Sequence, residues 1–491
     1  MEPSSELRKP KKPDQSILIG QQNDAFNSLL NFLDSGESMF CLEGFAGTGK
    51  SFLTNMLLEH NIAKHGSFIC MSAPTNKAVS VIKRMAEFSS DNLSYNTIHS
   101  LLGLRPFITD HGTEMFVKDT QSKNKVGEFD LIVVDEASQL DDQLFVYLME
   151  ELDNHPHLKL IFVGDGKQLP PVNHSSSIPM CPEKRKAYKI GYTNLTEIVR
   201  QKEGNPIIEL SKQFRDKVYN PKMDLNAERE GIVVVTTKNR KAVLKKLFCS
   251  EAYEKDGDFC RATAWRNDTV NFYNEEIRKM IYKERIRKKV KGYRDEGLTN
   301  DAMIPLLTKE FPFWKNGKMN LPKYLVGDKL IVDKPIFDVD TNQITFQTNE
   351  ELIIEDYTIE NRMGKEKMYK CYIADVKNIF SGKKELLEMV HEDDDAKYEQ
   401  HKNKLRQMAL NNKKGSKPAR AAWVHYYDLD KRFARLKYAP CLTTYKSQGS
   451  TYENVILITP DILSHPKEQE MFQHLYVGVT RARKRAFLFV H

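Results

Sequence analysis

Gly44-Phe45-Ala46-Gly47-Thr48-Gly49-Lys50-Ser51 constrains this chain more than any other stretch. A glycine, four residues and then Gly-Lys-Ser is the pattern of a phosphate-binding loop. Ser38 to Leu42 ahead of it reads as a short buried strand, and Phe52 to Leu58 behind it carries helical apolar spacing. Strand, glycine turn and helix N-terminus, in that order, aim a row of backbone N–H groups at one point, where a triphosphate can bind. On this reading Gly44, Ala46, Gly47, Thr48 and Gly49 cradle the phosphates. Lys50 reaches the β- and γ-phosphates, and Ser51 ligates Mg²⁺.

Two later strands end in matching chemistry. Asp130-Leu131-Ile132-Val133-Val134-Asp135-Glu136-Ala137-Ser138 is an apolar strand closed by adjacent carboxylates. Asp135 is placed to hold the Mg²⁺. Glu136, one residue on, is placed to take a proton from the attacking water. A buried strand that merely ends in a polar turn is the bland reading, and the phosphate loop ahead of it outweighs that. In Leu160 to Val172 a second apolar strand opens into Gly164-Asp165-Gly166-Lys167-Gln168-Leu169-Pro170-Pro171. The Gln168 amide can sense whether a γ-phosphate oxygen is present, and the two prolines fix the chain direction after it. Two arginines complete the set, Arg200 in Leu195 to Gln201 and Arg481 in Leu475 to Arg483. A γ-phosphate arginine accelerates transfer by about 10³–10⁵.

The ordered motifs resemble those of superfamily 1 helicases and, within them, superfamily 1B, the RecD-like group, with the Dda-type helicases of T-even phages as the nearest branch. The resemblance rests on the phosphate loop, Ala73-Pro74-Thr75-Asn76-Lys77-Ala78, Thr97-Ile98-His99, Asp135 to Ser138, Gly164 to Gln168, the Arg200 segment, Thr444-Tyr445-Lys446-Ser447-Gln448-Gly449 and Tyr476 to Arg481. Gln22 with Ala25 resembles the group's adenine-reading glutamine, and the adjacent Gln21 fits as well. Gln168-Leu169-Pro170-Pro171 departs from the superfamily 1A pattern.

The resemblance implies an α/β fold of two RecA-like parallel-sheet domains, MgATP as the fuel, and 5′-to-3′ movement on single-stranded DNA with unwinding of fork duplex. It maps DNA contacts onto Pro74, Thr75, Asn76, Thr97, His99, Thr444, Lys446 and Gln448. Ordinary turn and capping chemistry is the competing use of each. A single-strand-binding protein is a partner the resemblance allows, and the expected working form is a monomer. An RNA or RNA–DNA helicase and a non-processive ATP-dependent DNA-binding switch are the alternatives.

A chain of 491 residues is too long for one core. Residues 1–15 read as a disordered tail. Residues 16–103 and 129–214 alternate buried strands with amphipathic helices and form the first domain. Residues 104–128 are a hairpin insertion, on which Phe107 or, preferably, Phe116 is the wedge that parts a duplex. The second domain spans 215–289 and 439–491. Between them, 290–382 matches an SH3-like barrel and 383–438 a helical arm in the resembling enzymes.

The formal net charge is +7, from 74 Lys and Arg against 67 Asp and Glu, so any DNA track must be local. The basic run Lys283 to Lys291 reads as a solvated helix face. None of the 7 cysteines sits in a Cys-x-x-Cys pair, which argues against zinc and for a reducing, cytoplasmic setting. No apolar run reaches the ~20 residues of a membrane helix.

Overall fold

The computed structural model of the chain describes residues 8–108, 114–118, 123–171, 174–197, 205–217, 231–315, 318–338, 344–364, 366–413 and 416–490. Six parallel strands form the first sheet, in the order Leu93–Thr97, Ile69–Ala73, Leu131–Val134, Lys159–Gly164, Met39–Gly44, Gly191–Leu195. Alternation along each strand divides its residues between two cores. Leu42, Met71, Val133 and Ile161 pack on one side with Phe26, Leu53 and Leu57. Cys41, Cys70, Ile132 and Phe162 pack on the other with Phe145 and Leu148. Helices thus cover both faces, as runs apolar on both sides require.

The second sheet has five parallel strands, Cys441–Thr443, Cys260–Ala264, Tyr452–Ile458, Ala482–Phe489 and Gly231–Val235 in spatial order. It too is covered on both faces.

Between its segments lies a five-stranded antiparallel sheet, Lys384–Val390, Met368–Asn378, Glu351–Met363, Lys329–Val332 and Leu436–Tyr438. It has its own core of Leu330, Leu352, Tyr372, Leu387 and Met389. The arm is two helices, Glu392–Asn411 and Lys417–Arg432.

Three boundaries differ from expectation. Lys384–Val390 was expected in the helical arm and is an edge strand, because Leu387 and Met389 alternate into the core of this sheet. Helix Asn267–Asp295 runs through the expected limit at 289, carrying the basic run outward while Tyr282 and Ile286 face inward. Residues 8–15 are not a loose tail: Arg8 is ion-paired with the buried Glu59, whose carboxylate also accepts the Lys11 N–H at 2.8 Å. The hairpin is present as Leu104–Ile108 paired with Glu114–Lys118. Its tip, 109–113, and the side chain of Phe107 lie outside the described residues.

Candidate nucleotide site and DNA-facing loops

The phosphate loop joins strand Met39–Gly44 to helix Lys50–His65. Gly47 and Gly49 take φ of +84° and +89°, a region that L side chains rarely adopt. A Cβ on Gly49 would lie 2.3 Å from the Gln22 amide nitrogen. That amide donates to the Thr48 carbonyl at 3.2 Å, while Gln21 is engaged elsewhere, accepting the Thr196 N–H at 2.8 Å. Gln22 is therefore the glutamine at the loop. Lys50 Nζ donates to the Gly44 and Phe45 carbonyls at 2.5 and 3.0 Å, lying along the loop that it is expected to serve.

A cavity of about 520 Å³ opens here, lined by the loop, Gln22, Asp135, Glu136, Gln168 and, from the second sheet's side, Gly449, Thr480 and Arg481. Asp135 and Glu136 end their strand as expected, and Glu136 holds φ of +51°, a strained backbone for a non-glycine residue. Burial, reinforced for Glu136 by Asp135, pushes both carboxyls up; Lys50 works against this for both, and Arg481 for Glu136. Crowded, half-buried carboxylates that share this cavity with Ser51 are a hard-oxygen donor set that suits Mg²⁺.

The Gln168 amide lies 3.5 Å from Asp165 Oδ2, and its own Oε1 is buried without a partner. Arg481 is held at the cavity wall, donating to the Val477 and Ser450 carbonyls at 3.1 and 3.3 Å. Arg200 lies outside the described residues.

Two groups at the site were not anticipated. The Tyr476 hydroxyl donates to Asp165 Oδ2 at 2.7 Å and accepts the Ala46 N–H at 3.1 Å, tying the second domain to the phosphate loop. The clue was a lone phenol in the apolar helix Leu475-Tyr476-Val477-Gly478-Val479. The Arg215 guanidinium stacks 4.2 Å above the Phe45 ring, also on the loop, and no local pattern marks it.

The DNA-facing candidates divide unequally. Thr75 and Thr97 cap helices, each accepting a backbone N–H at 3.2 Å, from Ala78 and Ser100. They sit with Pro74 and Asn76 at the ends of neighbouring strands. His99 lies 4.2 Å from Phe116, which is 38% exposed.

The second domain's candidates are less available. Thr444 is fully buried, its hydroxyl paired with His474 and its N–H with the Ala264 carbonyl, so it presents nothing to a phosphate. Gln448 is also buried, donating to the Leu169 carbonyl at 3.1 Å. Both expected contacts are thus engaged within the protein in this structure. Their loop packs against the first domain and the neighbouring helix instead of opening to solvent. Lys446 is bound to Asp333 of the inserted sheet at 2.8 Å.

Behind these loops Glu351 of the inserted sheet is completely buried between Lys77 of the first domain, at 3.0 Å, and Arg261 of the second, at 2.8 Å. Burial alone pushes the Glu351 carboxyl up; Arg261 and Lys77 outweigh it and hold the group down at about 2.

Two helix-covered parallel sheets meeting across one phosphate-loop cavity define a P-loop NTPase of the two-domain motor type. The family described as AAA domain matches residues 18–237, and the UvrD-like helicase C-terminal domain matches residues 438–489. The chain is 25% identical to ATP-dependent DNA helicase dda of Enterobacteria phage T4, over 95% of this chain and 98% of that protein. It is also 25% identical to an uncharacterized protein of Acanthamoeba polyphaga mimivirus, over 94% and 97% of the two chains. ATP-dependent RecD2 DNA helicase of Deinococcus radiodurans is 31% identical over 36% of this chain and 21% of its own length. A solved Pif1 helicase structure aligns over 96% of this chain and 92% of its own at a TM-score of 0.49 and 16% identity, too distant to add to the sheet topology. The chain thus carries an AAA-domain match and a UvrD-like helicase C-terminal match, and is similar over nearly its whole length to a Dda-type DNA helicase.

Proposed function

We propose that this chain is an ATP-dependent DNA helicase that moves 5′ to 3′ on single-stranded DNA and unwinds fork duplex in replication, recombination or repair. The observation that carries this reading is the cavity itself, where the phosphate loop and paired carboxylates of one sheet face Arg481 and Tyr476 from the other unit. Nucleotide held there is touched from both sides, so binding favours closure and hydrolysis releases it.

Each residue has a definite task. The loop N–H groups and Lys50 bind the phosphates. Ser51 and Asp135 are the residues that would hold Mg²⁺, whose chemistry is to neutralise charge on the β- and γ-oxygens. Glu136 orients the attacking water and accepts its proton. Gln168 senses the γ-phosphate and passes its state to Gln473, which donates to its carbonyl at 3.1 Å. Arg481, with Arg200 as its expected companion, stabilises charge on the transferring group.

DNA is taken to cross Pro74 to Asn76, Thr97 and His99, with Phe116 at the fork and Lys446 on the second domain's side. The protein is taken to act as a monomer in the cytoplasm, where its seven free cysteines are at home, with a single-strand-binding protein as a natural partner. ATPase assays with poly-dT and poly-U test the polymer. Strong stimulation by poly-dT alone supports the reading, and stimulation by poly-U alone replaces it with an RNA helicase.

A further inference from the structure

The two parallel sheets match position for position at one edge. In the first, Leu93–Thr97 and Ile69–Ala73 lie side by side with Ala73 opposite Thr97. In the second, Cys441–Thr443 and Cys260–Ala264 occupy the same places with Ala264 opposite Thr443. Each inner strand runs directly into a helix, Asn76–Arg84 in one case and Asn267–Asp295 in the other. Where the first sheet carries Pro74 and Thr75, the second therefore carries Trp265 and Arg266.

Resting on the DNA reading above, we propose that Trp265 and Arg266 form the second domain's contact with single-stranded DNA, the indole stacking on one base and the guanidinium meeting the adjacent phosphate.

The corner is built to hold a ring still. Asp461 accepts the N–H groups of Trp265 and Arg266 at 2.7 and 2.9 Å, Arg266 Nε at 2.6 Å and the Thr269 hydroxyl at 2.7 Å. Thr269 stands in the first turn of the helix, so one carboxylate fixes the strand end, the turn and the helix start together. The half-buried indole packs against the apolar core of the second sheet and lies against the His465 ring, 4.3 Å away and tilted by 57°. His465 is itself tied down, accepting the Lys467 N–H at 3.1 Å with Glu470 at 3.4 Å.

The Arg266 side chain is 54% exposed although its Nε is bound to Asp461. Its guanidinium carbon lies 5.7 Å from the indole centre, close enough for both to touch one nucleotide. Thr444, the expected contact at this edge, is buried behind with His474, whose ring lies 5.4 Å from His465. At this strand end the half-buried Trp265 ring and the exposed Arg266 side chain together offer a stacking surface with a phosphate partner, such as single-strand binders use.

Fluorescence anisotropy of a labelled dT oligomer with the full chain tests this, using wild type, W265F, W265L and R266A and a set of oligomers with one abasic site moved along the strand. W265L removes the ring and keeps an apolar side chain. It should weaken binding by about 5- to 150-fold while W265F keeps most of it. One abasic position should cost the wild type a similar factor and cost W265L almost nothing, a coupling that a merely structural tryptophan does not show. R266A should make the salt dependence shallower by about 0.7 in the log–log slope. W265L binding as tightly as wild type, or equal losses for both proteins at every abasic position, overturns the stacking role and leaves the helicase reading intact. A wild-type chain that does not bind the oligomer overturns both.

Discussion

The two sheets share a strand order and differ in what their strand ends carry. The fifth strand of the first sheet, Met39–Gly44, leads into Gly47, Gly49, Lys50 and Ser51. The fifth strand of the second, Gly231–Val235, leads into Thr236-Thr237-Lys238-Asn239, with no glycine to bring backbone amides around a phosphate. The third strand of the first ends in Asp135-Glu136, open to the cavity. The third of the second, Tyr452–Ile458, ends in Thr459-Pro460-Asp461, whose carboxylate is consumed in fixing Trp265 and Arg266. On the proposed reading the same scaffold performs chemistry in one copy and, in the other, supplies a trigger, Arg481 and Tyr476, and a grip.

That division can be broken by mutation. The largest effect should come from Arg481→Ala, which leaves the phosphate loop whole. ATP binding should stay within a few-fold and turnover fall by about 10³-fold or more, read from steady-state ATPase and nucleotide titration. A turnover near normal would mean the second sheet does not take part in the chemistry. Next is Glu351→Ala, which strands Lys77 and Arg261 as buried cations. Loss of about 3–5 kcal/mol of stability is expected in urea unfolding.

The same contact sets an acid limit. The folded Glu351 carboxyl is held at about 2, below its ordinary value of 4.5, so its contribution is complete above pH 4.5. It is lost as pH falls from there towards 2. Wild type should lose stability across that window, and Glu351→Ala should lose less.

Tyr476→Phe removes one hydroxyl and both of its bonds across the cavity. A charge-assisted bond of about 1.5–3 kcal/mol is at stake, so ATPase stimulation by DNA should drop roughly tenfold or more, with basal nucleotide binding retained. Unaltered stimulation would show that the two units are coupled elsewhere. The smallest effect on ATP turnover belongs to Phe116→Ala. It should abolish most duplex unwinding yet keep DNA-stimulated ATPase, whereas loss of both together would assign Phe116 to packing against His99.

The nucleotide site was legible because each piece is local. Gly44 to Ser51, Leu131 to Glu136 and Leu160 to Gln168 each show a strand and the turn that closes it, and a parallel sheet brings such turns to one edge. What joins the pieces was not legible. Tyr476 and Ala46, or Glu351 with Lys77 and Arg261, meet only through tertiary packing, and no spacing rule links them. The burial of Thr444 was hidden for a related reason: its motif marks a strand end, but His474 from a separate helix takes up the hydroxyl. In the insertion, Lys384-Glu385-Leu386-Leu387-Glu388-Met389-Val390 reads as charged and helical until the strand Met368–Asn378 pairs with it and sets a period of two. Gln22 over Gln21 was likewise settled only by the position of Thr48.

Unwinding of two partial duplexes, one with a 5′ single-stranded tail and one with a 3′ tail, tests the central claim most directly, with ATP present and Lys50→Ala as the control. The account predicts ATP-dependent unwinding from the 5′ tail alone, lost in Lys50→Ala. Unwinding from the 3′ tail alone, or unwinding that survives Lys50→Ala, would contradict it.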